Sequence, residues 1–122
     1  MPVRTTKTSS HSLNTRNNNY NYMQTEIIEN GNQLIAQFSG RLDTAAAIPT
    51  AEAVKPLLEA ANKEIILECS KLEYISSSGL RIFLSIRKEA GARGSKVIVR
   101  NINADIRQVF MMTGFISLFE IQ

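Results

Sequence analysis

The most reactive-looking group in this 122-residue chain is a run of three serines, Ser76, Ser77 and Ser78, followed by Gly79, Leu80 and Arg81. A serine hydroxyl becomes a nucleophile only beside a base. The single histidine, His11, lies in a polar N-terminal segment without apolar pattern, so no Ser–His nucleophilic pair is expected. The residue two before the central serine is Ile75, not the glycine of a nucleophile elbow. The chain has no phosphate-cradling G-x-x-x-x-G-K-[ST], no G-x-G-x-x-G and no His/Cys cluster at zinc spacing. No catalytic residue, metal or cofactor is expected. Two uses remain for the hydroxyls. Serine caps helices by accepting a hydrogen bond from an N–H group that the first turn leaves unpaired. A hydroxyl at that place can also carry a phosphate, whose charge suits the N-terminal end of a helix. Capping needs one serine.

The elements around the serines must set their position. Glu64 to Cys69 is a compact apolar run of the kind buried on both faces of a parallel sheet. From Leu80 to Ala90, the residues Leu80, Phe83, Leu84 and Ile86 predict the buried face of a helix, with Arg81, Ser85 and Lys88 opposite. Upstream, Gln24–Glu29 and Gln33–Ser39 flank Asn30-Gly31-Asn32, which predicts a hairpin. The Gly40-Arg41-Leu42-Asp43-Thr44 stretch then leads to a helix in which Ala51, Val54, Leu57, Leu58 and Ala61 recur at helical spacing. Pro49 suits its first turn, and Pro56 should kink it or mark a restart. Lys96–Arg100 predicts another buried strand. Asn103 should cap a helix through Ile106, Val109, Phe110 and Thr113 that stops at Gly114, with a final strand over Ile116–Ile121. The order β-β-α-β-α-β-α-β implies one α/β domain built on a mostly parallel sheet with right-handed connections.

Residues 1–22 hold Arg4, Lys7 and Arg16 and no acid, whereas residues 23–122 balance the other 11 basic residues against all 11 acidic ones. The sequence pI near 9.2 therefore belongs to the first 22 residues and points to no nucleic-acid partner. Their Asn-, Ser- and Thr-rich composition predicts a disordered extension over 1–22, with one domain over 23–122 and Met23 as a candidate start. No apolar run nears the roughly 20 residues of a membrane span. One cysteine, Cys69, fits a reducing, cytoplasmic setting and is expected in the core. Met111 and Met112 are expected to pack at a helix end, with one open to a partner.

Taken together, Gly40-Arg41-Leu42-Asp43-Thr44, Ile66-Leu67-Glu68-Cys69-Ser70-Lys71-Leu72 and Tyr74-Ile75-Ser76-Ser77-Ser78-Gly79-Leu80-Arg81 resemble the STAS domains. More closely they resemble the single-domain bacterial anti-sigma factor antagonists, from about Met23 to Gln122. The resemblance implies a mixed, mostly parallel sheet of four to five strands packed with helices, and no enzymatic activity. It also implies a monomeric, cytoplasmic partner-switching module. In that family the unphosphorylated protein binds an anti-sigma factor, often a serine kinase with a histidine-kinase-like ATPase fold, and so releases a sigma factor. The kinase phosphorylates the serine two positions before the glycine, and a 2C-type serine phosphatase reverses the modification. Here that serine is Ser77. Many members carry aspartate just before it; this chain has Ser76, which makes Ser76 a rival acceptor. The partner-binding surface implied by the resemblance comprises Asp43, Thr44, Ser76, Ser78, Gly79, Leu80 and Arg81. Asp43 serves equally as a helix cap on its own residue type, and Arg81 equally as a solvated helix-face residue. The alternative role is a non-switching STAS binding or scaffold subunit in a signalling or transporter complex.

Overall fold

The computed structural model describes residues 4–7 and 23–122. Strands β2 (Gln24–Asn30) and β3 (Gln33–Leu42) form the expected antiparallel hairpin. Gly31, at φ +63°, occupies the first central position of its two-residue turn. That position of a hairpin turn commonly requires a positive φ, which glycine adopts without a Cβ penalty. The chain then runs through α1 (Thr44–Ala53), α2 (Lys55–Leu58), β4 (Glu64–Ile75), α3 (Ser77–Ala92), β5 (Lys96–Arg100), α4 (Ala104–Thr113) and a short 3-10 turn (Phe115–Ser117) to β6 (Glu120–Ile121).

These five strands form a mixed, mostly parallel sheet: β3–β4, β4–β5 and β5–β6 are parallel. A sixth strand, β1 (Arg4–Lys7), extends the sheet by pairing antiparallel with β2, Arg4 opposite Glu29 and Lys7 opposite Glu26. The strand stands within the segment expected to be disordered and raises the strand number above the four to five expected. Composition hid it because edge pairing uses backbone groups and needs no apolar pattern. The other residues of 1–22, His11 among them, lie outside the described residues.

The six strands follow one another in spatial order. Right-handed crossovers that always step the same way put their helices on one face of a sheet. The core agrees: Phe38, Ile65, Leu67, Cys69 and Val99 of the sheet cluster with Ala47, Leu57, Leu80, Phe83, Ile86, Ile106 and Phe110 of the helices. Phe38, Phe83 and Phe110 run through it with ring centroids 5.2 and 6.5 Å apart. On the opposite face, Ile28, Ile35, Ile66 and Ile98 stand in one register across β2, β3, β4 and β5. Ile66 and Ile98 are only 3% exposed, yet neither belongs to the main cluster.

Several element readings shift. β4 is twelve residues long rather than six, and α3 starts at Ser77 rather than Leu80. α1 starts at Thr44, so Pro49 falls in its interior. α1 and α2 bury Ala47, Thr50, Ala53 and Leu57, with Val54 buried between them, while Ala51 and Ala61 are exposed. Pro56 does mark a restart, in the first turn of α2. Ile116–Ile121 is mostly a 3-10 turn and loop, with only Glu120–Ile121 paired to β5.

Candidate functional site

The site grows from the carboxyl ends of two neighbouring parallel strands. β3 ends at Leu42 and β4 at Ile75, which are register partners. The Ser76 N–H donates to the Leu42 carbonyl at 2.8 Å and ties the two ends together. The next residues on each strand, Asp43 and Ser76, cap helices α1 and α3. Two helices therefore start side by side at the end of the sheet where binding crevices form in open α/β folds.

Asp43 spends a carboxylate oxygen on its own helix, accepting from the Ala46 N–H at 2.8 Å. Capping is thus one role of Asp43, and Thr44 follows it as an exposed first residue. Ser76 does the same for α3. Its Oγ accepts from the Gly79 N–H at 3.2 Å, its carbonyl accepts from the Leu80 N–H at 2.9 Å, and the residue is 8% exposed. Ser77 is the first residue of α3 and is exposed. Ser78 is half-buried, and its Oγ accepts from Arg81 Nη2 at 3.4 Å.

Gly79 and Leu80 lie beneath this surface rather than on it. A Cβ on Gly79 would stand 2.7 Å from Leu42 Cγ and 2.8 Å from Ile75 Cγ1. Only glycine lets the first turn of α3 sit this close to the strand ends, and Leu80 then anchors it in the core. Their part in the site is to hold Ser77 where it is.

Three features escaped the sequence reading. Arg41 lies over the Tyr74 ring, 4.4 Å from its centroid, because β3 and β4 are in parallel register at those residues. Ile48, one turn beyond Thr44 on α1, is 76% exposed. A helical count from a start at Thr44 would have placed it outward; the start was the missing signal. On the face of the sheet that carries Ile66 and Ile98, Glu68 accepts hydrogen bonds from Arg100 Nε at 2.7 Å, Asn101 Nδ2 at 2.9 Å and the Ser70 N–H at 3.2 Å. Burial pushes the Glu68 carboxyl up, but these bonds, Asn101 first, outweigh it and hold the carboxyl below its ordinary range.

Cys69 is 1% exposed in the core. Burial, with Glu68 adjacent, pushes its thiol far above the usual range, which disarms it as a nucleophile. Met111 and Met112 are both exposed rather than packed. Among the described residues no group of three or more His, Cys, Asp or Glu could hold a metal ion. Nor is any described helix long and apolar enough to cross a membrane. What the arrangement offers is a surface at two helix starts that presents two exposed hydroxyls outside the caps, Thr44 and Ser77.

A two-layer α/β domain whose strand-to-helix junction presents a capped serine cluster is the class of protein that this fold and site define. The STAS domain family model matches residues 22–122, and the chain belongs to that family. It is 27% identical over 88 residues to BtrV of Bordetella bronchiseptica, described as a candidate anti-sigma factor antagonist, covering 72% of this chain and 76% of that one. Among solved structures, an anti-sigma factor antagonist from Mycobacterium paratuberculosis superposes with a TM-score of 0.69 at 20% identity, over 81% of this chain and 84% of that one. The Bacillus cell fate determinant SpoIIAA in its phosphorylated form gives a TM-score of 0.59 at 21% identity, over 82% and 90%. At these identities the structural likenesses show the fold.

Proposed function

We propose that this chain is an anti-sigma factor antagonist that works by partner switching. Unmodified, it docks an anti-sigma factor through the surface at the starts of α1 and α3; phosphorylated on Ser77, it lets go. The observation that carries this reading is the division of labour among the serines. Ser76 is buried and committed as the α3 cap, so it serves poorly as an acceptor, whereas Ser77 is exposed and is not the cap. BtrV and the two structural relatives bear names or descriptions of the same regulatory kind or of a phosphorylated form, which supports the reading.

The partner is a serine kinase with a histidine-kinase-like ATPase fold. Its nucleoside triphosphate gives the terminal phosphoryl group to Ser77 Oγ, the nucleoside diphosphate leaves, and the hydroxyl proton passes to a base on the kinase. A 2C-type serine phosphatase hydrolyses the ester. The chain itself supplies no catalysis, binds no nucleic acid and acts in the cytoplasm as a monomer. Asp43, Thr44, Ser78 and Arg81 flank the acceptor on the docking face, with Ser76, Gly79 and Leu80 shaping it from below. A phosphate adds about 1.5 to 2 negative charges at pH 7 in the middle of that face. A 100-fold loss of affinity needs only about 2.7 kcal/mol, within reach of such a charge against acidic or apolar partner groups.

The test is affinity purification from the native host with wild type, Ser77→Ala and Ser77→Asp, together with mass analysis of the wild type. A kinase-like ATPase recovered by Ser77→Ala, lost with Ser77→Asp, and a phosphate localised to Ser77 is the expected result. Equal recovery by all three and no phosphate would leave a constitutive STAS binding or scaffold subunit. That outcome has its own basis in the residue before Ser77, a serine rather than the family's frequent aspartate.

A further inference from the structure

Arg81 stands four residues after Ser77, one helical turn down α3, and both are exposed. Residues at this spacing lie one above the other on the same helix face, about 5–6 Å apart at Cβ. Long helical side chains lean toward the N-terminus, and Arg81 does so: its Nη2 reaches back to Ser78 Oγ at 3.4 Å. The guanidinium is thus already drawn back over the first turn of α3. Among the described residues Arg81 makes no ion pair with a carboxylate, unlike Arg93 and Arg100. The other guanidinium at these strand ends, Arg41, is stacked on Tyr74. The acid just past β3, Asp43, is occupied in capping α1.

We propose that Arg81 receives the phosphate placed on Ser77, exchanging its weak contact with Ser78 for a charge-assisted pair with the phosphate oxygens. The proposal rests on Ser77 being the modified residue and adds how modification acts. The planar guanidinium matches two phosphate oxygens at once, which a hydroxyl partner cannot offer. Modification then has two effects on the docking face. It adds a dianion, and it withdraws the one unpaired cation of α3's first turns from any partner carboxylate.

The test installs phosphoserine at position 77 of the full chain during translation and follows the phosphate by 31P NMR against pH. A guanidinium in contact favours the dianion, so removing it should raise the phosphate's proton affinity by about three- to tenfold in Arg81→Gln. Arg81→Lys should restore part of the difference, and Arg41→Gln should leave it unchanged. Identical titrations for wild type and Arg81→Gln, or a shift produced by Arg41→Gln instead, overturn the proposal. Because both arginines are exposed, neither variant should disturb the fold, which circular dichroism checks. The phosphate is installed without a kinase, so the result stands apart from whether a cellular kinase uses Ser77; the purification experiment decides that.

Discussion

The starts of α1 and α3 are built alike and equipped differently. Each follows a parallel strand, and each is capped by a side chain accepting from the N–H three residues on. At α1 the cap is a carboxylate, half-exposed, and an exposed threonine hydroxyl, Thr44, follows it before three alanines. At α3 the cap is a buried hydroxyl, a second hydroxyl follows it into solvent, and a glycine lets the whole turn press against Leu42 and Ile75. Capping accounts for Asp43 and Ser76 and leaves an exposed hydroxyl after each, Thr44 and Ser77. What sets α3 apart is that its cap is buried and its first turn is held tight against the strand ends, which fixes Ser77 more firmly than Thr44.

The comparison predicts that stability and switching come apart within three adjacent residues. The largest effect falls on binding: Ser77→Asp should lower the recovery of the anti-sigma partner by about 100-fold, or about 2.7 kcal/mol, while its melting temperature stays near wild type. Gly79→Ala should follow. Its new Cβ must displace Leu42 or Ile75, an overpacking that costs about 1–3 kcal/mol against the smaller gain in helix propensity. The contrast within the same helix is Gly91→Ala, where nothing lies within 4 Å and about 0.5–1 kcal/mol of stabilisation is expected. Urea unfolding of the pair reads both signs, and a Gly79→Ala protein as stable as Gly91→Ala would remove the close-approach argument.

Next come the caps. Asp43→Ala and Ser76→Ala should each cost about 0.5–2 kcal/mol, and Ser77→Ala less than about 0.5. In a kinase assay the order reverses, with Ser77→Ala alone losing the phosphate. A phosphate retained in Ser77→Ala and lost in Ser76→Ala would exchange the two roles. The smallest effect concerns acid and belongs to neither helix start. Glu68 is held below its ordinary value of 4.5, so its bonds stabilise the fold above that pH, and the stabilisation is lost as pH falls through the lowered value. Wild type should therefore lose more melting temperature between pH 6 and pH 3 than Glu68→Gln. Equal losses would place the acid sensitivity elsewhere.

The order of elements from residue 23 onward was readable because its helices and central strands bury regular stripes, as at Phe83 and Ile86 or Val97 to Val99. What escaped was every place where the period breaks. In β4 the inward residues run Ile65, Leu67, Cys69, then Leu72, then Ile75, because the register with β3 slips twice, between Gln37 and Ser39 and between Gly40 and Arg41. A strand that changes parity looks like loop after Cys69, so the α3 start was placed three residues late. The serine cluster was visible at once, but residue types alone left Ser76 and Ser77 as rivals. Burial and the bond to Gly79 show that Ser76 is the α3 cap, which residue types alone could not say.

The four in-register isoleucines have a consequence for how the sheet assembles. If β3 and β4 paired one residue out of step, Ile35 would lose Ile66 and the two inward stripes would no longer share a face. Two residues out of step, Ile35 would face Glu64 or Glu68 instead. The isoleucine row thus penalises wrong alignments on the face opposite the main core cluster as well. The row from Ile28 to Ile98 favours the one strand alignment that also brings the starts of α1 and α3 together.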